Sequence, residues 1–355
     1  MRYKQDWDNA RERLTAFFDG AVIDRCCCAV FARRRDAAPV SHMPPADPAA
    51  RYAYWTNPEQ IIARYRRQME QTVYGGEAFP QVFVDLGAGG HAGFFKGAKY
   101  QFEDSVWFFP SHDAPDAIEF DRDSYLFQQT LRLAHAYAED SKGDYIVSMP
   151  DCTGNADALS HLLGPETLLP YMLEEPDAVK RALKKIELAY ETAMRGVYDI
   201  VKDVNGGGSS IGWMSTWAPG LHAQMQSDMS VMISNDMFEE YIVPELRAQC
   251  DFLDYPLYHL DGVEQVQHLD SLLSIEKLRA IQWTQVSGQK PCTDYIPTLK
   301  RIQAAGKGLL ILVAPSQIRT LMENLSSRGL YLLTTVESQD DAGAILKDVA
   351  KMTHD

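Results

Sequence analysis

The chain has 355 residues, 46% of them hydrophobic and 23% charged, the balance of an ordinary globular protein with no low-complexity tract, so order is expected nearly throughout. Lys and Arg total 34 against 49 Asp and Glu, and the formal charge of −15 creates a field that repels nucleic acid and anionic membrane surfaces. The opening carries no apolar signal-peptide core, and no run approaches the roughly 18 apolar residues that span a bilayer, so a soluble, cytoplasmic protein is expected.

In chain order, an amphipathic helix is predicted over 7–18, within an N-terminal helical extension over 1–25. Eight short apolar runs follow, at 26–31, 81–86, 145–149, 209–213, 256–259, 280–283, 309–313 and 330–335. Most lack strict polar alternation and are bounded by Gly, Pro or Asp, as expected of parallel strands buried on both faces. Helical patterns fill the gaps at 58–74, 124–139, 176–204, 236–253, 269–278, 294–305, 315–327 and 338–352. Pro58 and Pro176 stand at helix starts, and Gly306 and Gly329 at helix stops. Strand and helix alternating in this way predict a single (β/α)8 TIM barrel over 1–355, with two long connections, 32–57 and 87–122, as functional loops at its carboxyl face. An open doubly wound sheet is the alternative, but Leu86-Gly87-Ala88-Gly89-Gly90 lacks dinucleotide-binding spacing.

Six cysteines, the triplet Cys26-Cys27-Cys28 plus Cys152, Cys250 and Cys292, form neither a disulfide framework nor a paired zinc pattern. The triplet is expected to lie in a strand with alternate members on opposite faces, as small hydrophobes.

In a barrel the chemistry sits at the carboxyl ends of the strands. There the sequence places Arg33, Asp85, Asp151, Trp213 with Trp217, His259 with Asp261, Gln282 with Trp283, and Glu337. Within Tyr258-His259-Leu260-Asp261-Gly262 the i, i+2 spacing on a strand aims an imidazole and a carboxylate at one volume, suited to holding a metal, moving a proton or gripping a polar ligand. Asp85, Asp151, His259 and Asp261 are the candidate catalytic residues. Arg33, Asp157, Trp213, Trp217, His222, Asp228, Gln282 and Trp283 are candidates for substrate binding, the tryptophans as flat surfaces for an organic ligand. His222 and the segment 226–230 are placed in a loop before the helix at 236. The triplet recurs as His268-Leu269-Asp270 at a helix start, where the two side chains diverge and serve capping and packing instead.

Four segments carry a family resemblance: Phe83-Val84-Asp85-Leu86; 162–169 with 174–179; 233–244; and Tyr258-His259-Leu260-Asp261-Gly262. Their order resembles the uroporphyrinogen decarboxylase and cobalamin-independent methionine synthase-like superfamily over nearly the whole chain. The resemblance implies a single (β/α)8 barrel enzyme. Asp85 matches the aspartate after the second strand of the decarboxylases, whereas their Arg-Gln-Ala-Gly-Arg-Tyr motif is absent, though Arg33, Arg34 and Arg35 occupy that region. In the corrinoid-dependent methyltransferase branch, a His-x-Cys pair and a late cysteine bind zinc. His259 matches that histidine, Asp261 stands at the first cysteine's place, and Glu337 lies near the last one's, so His259, Asp261 and Glu337 are the candidate metal ligands.

The resemblance therefore implies methyl or other one-carbon transfer to or from a small molecule, with zinc as candidate metal, a corrinoid carried on a partner protein, and a homodimer as an open arrangement. A cofactor-free decarboxylase or lyase acting on a carboxylated substrate is the alternative enzyme. A non-catalytic corrinoid- or tetrapyrrole-binding protein is the alternative outside enzymes.

Overall fold

The computed structural model describes residues 1–35, 37, 43–152 and 154–355. Positions 36 and 38–42 of the Pro- and Ala-rich connection, and Thr153 of the 151–157 turn, lie outside the described residues. The strands are β1 Cys27–Arg33, β2 Thr72–Gly76, β3 Gln81–Phe83, β4 Lys99–Phe102, β5 Val106–Phe109, β6 Ile146–Ser148, β7 Ser209–Ile211, β8 Thr216–Ala218, β9 His222–Met225, β10 Tyr255–Asp261, β11 Ala280–Thr284, β12 Gly308–Leu312 and β13 Leu330–Val336. Each of the eight apolar runs of the sequence overlaps one of them.

The main sheet has seven strands in the order β2-β1-β13-β12-β11-β10-β9. All its pairings are parallel except β1 with β2. β3 pairs in parallel with β6, and Met149, just past β6, bridges in parallel to Ile211 of β7. Side chains from three of the four sheets, all but the β4–β5 hairpin, meet in one inner core, with Cys27 and Ala29 from β1, Ile146 from β6, Ile211 from β7, Leu257 from β10 and Tyr331 from β13. The helix Trp7–Phe18 closes the amino end of this core: Phe17 meets Tyr331 with ring centroids 5.6 Å apart, Phe18 meets Tyr255 at 5.4 Å, and Trp7 meets Trp217 at 5.8 Å. With that end plugged by apolar rings, the polar inward-facing positions lie toward the carboxyl ends of the strands.

The opposite face of the strands packs under helices in a second core, to which Cys26, Cys28, Tyr258, Leu260, Ile281 and Trp283 contribute. The cysteine triplet thus alternates across the sheet as its period requires. All six cysteines are buried and free, and burial pushes the Cys26 thiol up to about 12, so the triplet acts as small hydrophobes.

The structure departs from sequence expectation in three places. The helix expected over 58–74 ends as Pro58–Gln71, because β-branched and aromatic Thr72-Val73-Tyr74 followed by Gly75-Gly76 pair antiparallel with β1. The connection expected over 32–57 contains a helix, Pro48–Thr56, started by Asp47, whose carboxylate accepts the Ala50 N–H at 2.8 Å. Past β7 the chain turns back as the β7–β8 hairpin, whose turn puts Ser215 at φ 50, and returns to the sheet as β9, where a loop was expected. Among the described residues no helix is long and apolar enough to cross a membrane.

Candidate metal centre

β10 delivers the first two groups. Leu257, His259 and Asp261 share the inward side, and Gly262, at φ +84, ends the strand just past the pair. His259 Nε2 lies 3.9 Å from Asp261 Oδ1. β11, in parallel register, sets Gln282 beside His259 and Thr284 beside Asp261. His259 Nδ1–H donates to Gln282 Oε1 at 2.5 Å, and Gln282 Nε2 donates to Thr284 Oγ1 at 2.7 Å. An amide oxygen can only accept, so Nδ1 carries the proton and Nε2 presents its lone pair to the open volume. Burial holds the imidazolium pKa below the ordinary histidine value against the pull of Gln282 and Asp261. Trp213 walls one side, its ring edge-on to His259 with centroids 4.9 Å apart.

The third group lies just past β9, where Asp228 opens a short 3-10 turn, and a chain of hydrogen bonds links it back to the strand. Trp213 Nε1 donates to Gln224 Oε1 at 2.6 Å, and Gln224 Nε2 donates to Asp151 Oδ1 at 3.0 Å and Gln226 Oε1 at 3.1 Å. Gln226 Nε2 in turn donates to Asp228 Oδ2 at 3.0 Å. The backbone at Asp228 is pinned by Asp157, whose two carboxylate oxygens accept the N–H groups of Asp228 at 2.9 Å and Met229 at 2.7 Å. Asp157 folds so tightly over Gly154 that a Cβ there would stand 1.9 Å from its Oδ2, a position only glycine fills. Asp228 as a residue is exposed, yet partial withdrawal of its carboxyl from water, with repulsion by Asp261 and Asp151, pushes its pKa up to about 7.

Ligand atoms of Asp228, His259 and Asp261 all lie within 4.8 Å of one another. A neutral imidazole and two carboxylates suit zinc, and tolerate other divalent ions more readily than a thiolate set would. The crowding of carboxylates around Asp228 is what a bound cation would relieve.

The sequence candidates therefore divide. Asp151, Trp213 and Gln282 join the ligand cluster through hydrogen bonds and ring contact, and Asp157 shapes it from behind. Asp228, expected as a substrate residue, lies with His259 and Asp261 in the place expected of Glu337, which is exposed after β13 and outside the cluster. Trp217 lies on β8 against Trp7, with its Nε1 donating to Asn205 O at 3.2 Å, so it is core and not a ligand platform. Trp283 is one residue out of phase with Gln282 and packs outward on Tyr295 with ring centroids 5.3 Å apart. His222 sits at the plugged end, bonded to Thr216 Oγ1 at 2.8 Å and Tyr255 O at 2.5 Å, with burial lowering its pKa to about 4. Arg33 is exposed and donates to its own loop at Ala37 O. Asp85 accepts the Gly87 N–H at 3.0 Å and opens on a separate cavity of about 190 Å³ with Arg64 and Tyr54, where burial raises its pKa. Gln224, Gln226 and Thr284 were not foreseen.

No family model and no curated protein matches the sequence. Among solved structures the chain is similar to a methyltransferase from Methanosarcina mazei, at 11% identity and a TM-score of 0.58, covering 96% of this chain and 98% of that one. At that identity the likeness establishes a shared methyltransferase-like fold over essentially the whole length of both chains.

Proposed function

We propose that the chain is a metal-dependent enzyme of methyl or other one-carbon transfer, with Asp228, His259 and Asp261 holding a divalent cation, zinc by preference. The observation that carries this reading is the convergence of the three ligand atoms, with Nε2 of His259 freed by the Nδ1–H bond to Gln282. A fold shared with a methyltransferase supports it. We extend the proposal to the architecture: the three sheets around one inner core are arcs of a single (β/α)8 barrel spanning the chain, in the uroporphyrinogen decarboxylase-like superfamily.

Three protein ligands leave positions open for a substrate heteroatom, and zinc, when bound, would supply Lewis acidity that favours the deprotonated, nucleophilic form of a thiol or hydroxyl. The chain's own part is orientation. Gln282 and Thr284 fix the imidazole tautomer, Trp213 walls one side of it, and the Gln224–Gln226 ladder aims Asp228 and ties Asp151 to it. The methyl donor in this reading is a corrinoid on a partner protein.

A cofactor-free carboxy-lyase is the second reading, favoured by an Asp228 carboxyl that titrates near neutrality beside Asp151 and is equipped to give and take a proton. Zinc titration of the purified protein beside Asp228→Asn separates the two. The expected result is about one tightly held zinc per chain, much weakened in the variant, with methyl transfer from a methylated corrinoid to a thiol. Zinc binding unchanged by the substitution, or absent altogether, overturns the metal reading, and release of carbon dioxide from an acidic substrate by the metal-free protein establishes the other.

A further inference from the structure

Trp213, whose ring meets His259 edge-on, also lines a cavity of about 280 Å³. Four other rings line it: Phe31 from β1, Tyr74 from β2, Phe83 from β3 and Tyr65 from the helix Pro58–Gln71. All five are half-buried, so each keeps accessible surface. Phe31 and Tyr74, in register across β1 and β2, meet edge-on with ring centroids 5.8 Å apart. Phe83 lies so close over Gly212 that a Cβ there would stand 2.7 Å from its Cδ2, an approach that glycine permits.

The polar groups of the wall are already committed to the protein. Gln81 Nε2 donates to Gly212 O and, at 3.2 Å, to Ser215 Oγ, while its Oε1 accepts from Ser148 Oγ at 2.8 Å and Ser210 Oγ at 3.1 Å. Thr72 Oγ1 donates to Gln68 O at 2.8 Å. Among the described residues no Lys, Arg, Asp or Glu lines the space. A charged group entering it would lose hydration with no partner to replace the water. An aromatic ring loses nothing of that kind and gains edge-to-face and offset contacts with the rings of the wall. An apolar cavity of roughly 150 Å³ holds benzene, so this one has room for a ring and a short link. Trp213 joins the cavity to the metal centre, since its Nε1 is bonded to Gln224, which is linked through Gln226 to Asp228.

We propose that this cavity holds the aromatic ring of a substrate with an uncharged body, whose thiol or hydroxyl lies at the cluster of Asp228, His259 and Asp261. That the ring belongs to the substrate of the metal centre rests on the function proposed above; the affinity of the cavity for a ring does not.

The test is calorimetric titration of the full chain, loaded with zinc and after chelation, with toluene, benzyl mercaptan and 3-mercaptopropionate. Toluene is expected to saturate in the millimolar range in both forms. Gln68→Trp, which fills the cavity from the half-buried face of a helix, and Phe31→Ala, which removes a ring from the wall, are each expected to weaken toluene by about tenfold or more, with an unchanged circular dichroism spectrum showing that the variants are folded. The zinc-loaded chain is expected to bind benzyl mercaptan at least about tenfold tighter than toluene or 3-mercaptopropionate, because only that probe engages cavity and metal together. Failure of the metal reading is seen separately, as a chain that takes up no zinc yet still saturates with toluene, which upholds the cavity as a ring site. Toluene that does not saturate, or whose affinity is indifferent to both substitutions, overturns the proposal whatever zinc does. A zinc-loaded chain that binds 3-mercaptopropionate as tightly as benzyl mercaptan overturns the assignment of the cavity to the substrate of the metal centre.

Discussion

The tripeptide His-Leu-Asp occurs twice, nine residues apart, and the two copies do different work. On β10 the extended backbone puts His259 and Asp261 on one side with Leu260 on the other, and the imidazole and carboxylate come within 3.9 Å. In the second copy the chain is turning into the helix Leu269–Ser274, and the side chains separate. His268 lies flat on Phe238, ring centroids 4.2 Å apart and planes 6° off parallel, and donates from Nε2 to Ser230 O at 3.0 Å, while Asp270 reaches outward to Arg301. Identical residues at identical spacing make a converging pair on a strand and two unrelated packing contacts at a helix start, so side-chain convergence follows the backbone period before it follows composition. The copies are nevertheless connected. Ser230 belongs to the turn that carries Asp228, so the second histidine steadies the loop that brings Asp228 to His259.

The sharpest way to break this contrast is to remove the ligand histidine. His259→Ala should lower zinc affinity by at least about 100-fold, with the protein still folded; zinc affinity unchanged by equilibrium dialysis would leave the strand copy no more special than the helical one. Next in size is Asp157→Asn, which touches no ligand atom. Asparagine has one acceptor where Asp157 uses two, so the N–H groups of Asp228 and Met229 cannot both be held. Zinc affinity should fall by roughly 10- to 100-fold at saturating pH. A merely structural role would lower the melting temperature without changing zinc affinity in the folded protein.

Much of this site was legible in the sequence, and the failures have physical causes. His259, Asp261, Gln282 and Asp151 stand where an apolar run ends, which is where a parallel sheet opens. Trp283 could have been excluded on the same grounds: successive residues of a strand face opposite ways, so if Gln282 points inward the tryptophan points out. β9 was hidden for a different reason. Its inward residues are His222 and Gln224, so a strand lined with polar groups carries no apolar run and looks like a loop. With β9 unseen, Asp228 could not be placed beside His259 and Asp261, and Glu337 was set there by analogy. Likewise the antiparallel β2 continued the helical pattern of 58–71 by chance of composition, and only pairing with β1 separates the two.

Smaller effects sharpen the comparison within each copy. Gln282→Leu keeps the volume beside His259 but removes the acceptor at Nδ1, so the imidazole loses its fixed tautomer; about a tenfold drop in zinc affinity is expected by competition with a colorimetric chelator. His268→Phe retains a ring on Phe238 and deletes only the bond to Ser230. The expected cost is about 1 kcal/mol of stability in denaturant and a few-fold loss of zinc affinity, through the slackened turn and not through the metal itself. If His268→Phe weakened zinc as much as His259→Ala, the division between a ligand copy and a supporting copy would fail.

The smallest expected effect lies at Asp270, and it tests the contrast from the other side. Its carboxylate is exposed, its side chain 88% accessible, and among the described residues it pairs with the half-exposed Arg301. In water-like surroundings such a pair gains little over the solvated groups, because both charges keep their hydration and two long side chains must be ordered to hold it. Asp270→Asn should therefore leave stability within about 0.5 kcal/mol and zinc affinity unchanged, where the corresponding substitution at Asp261 removes a ligand. Equal losses from Asp270→Asn and Asp261→Asn would mean that the carboxylates act through the protein's general negative field, and the convergence at β10 would then not be what binds the metal.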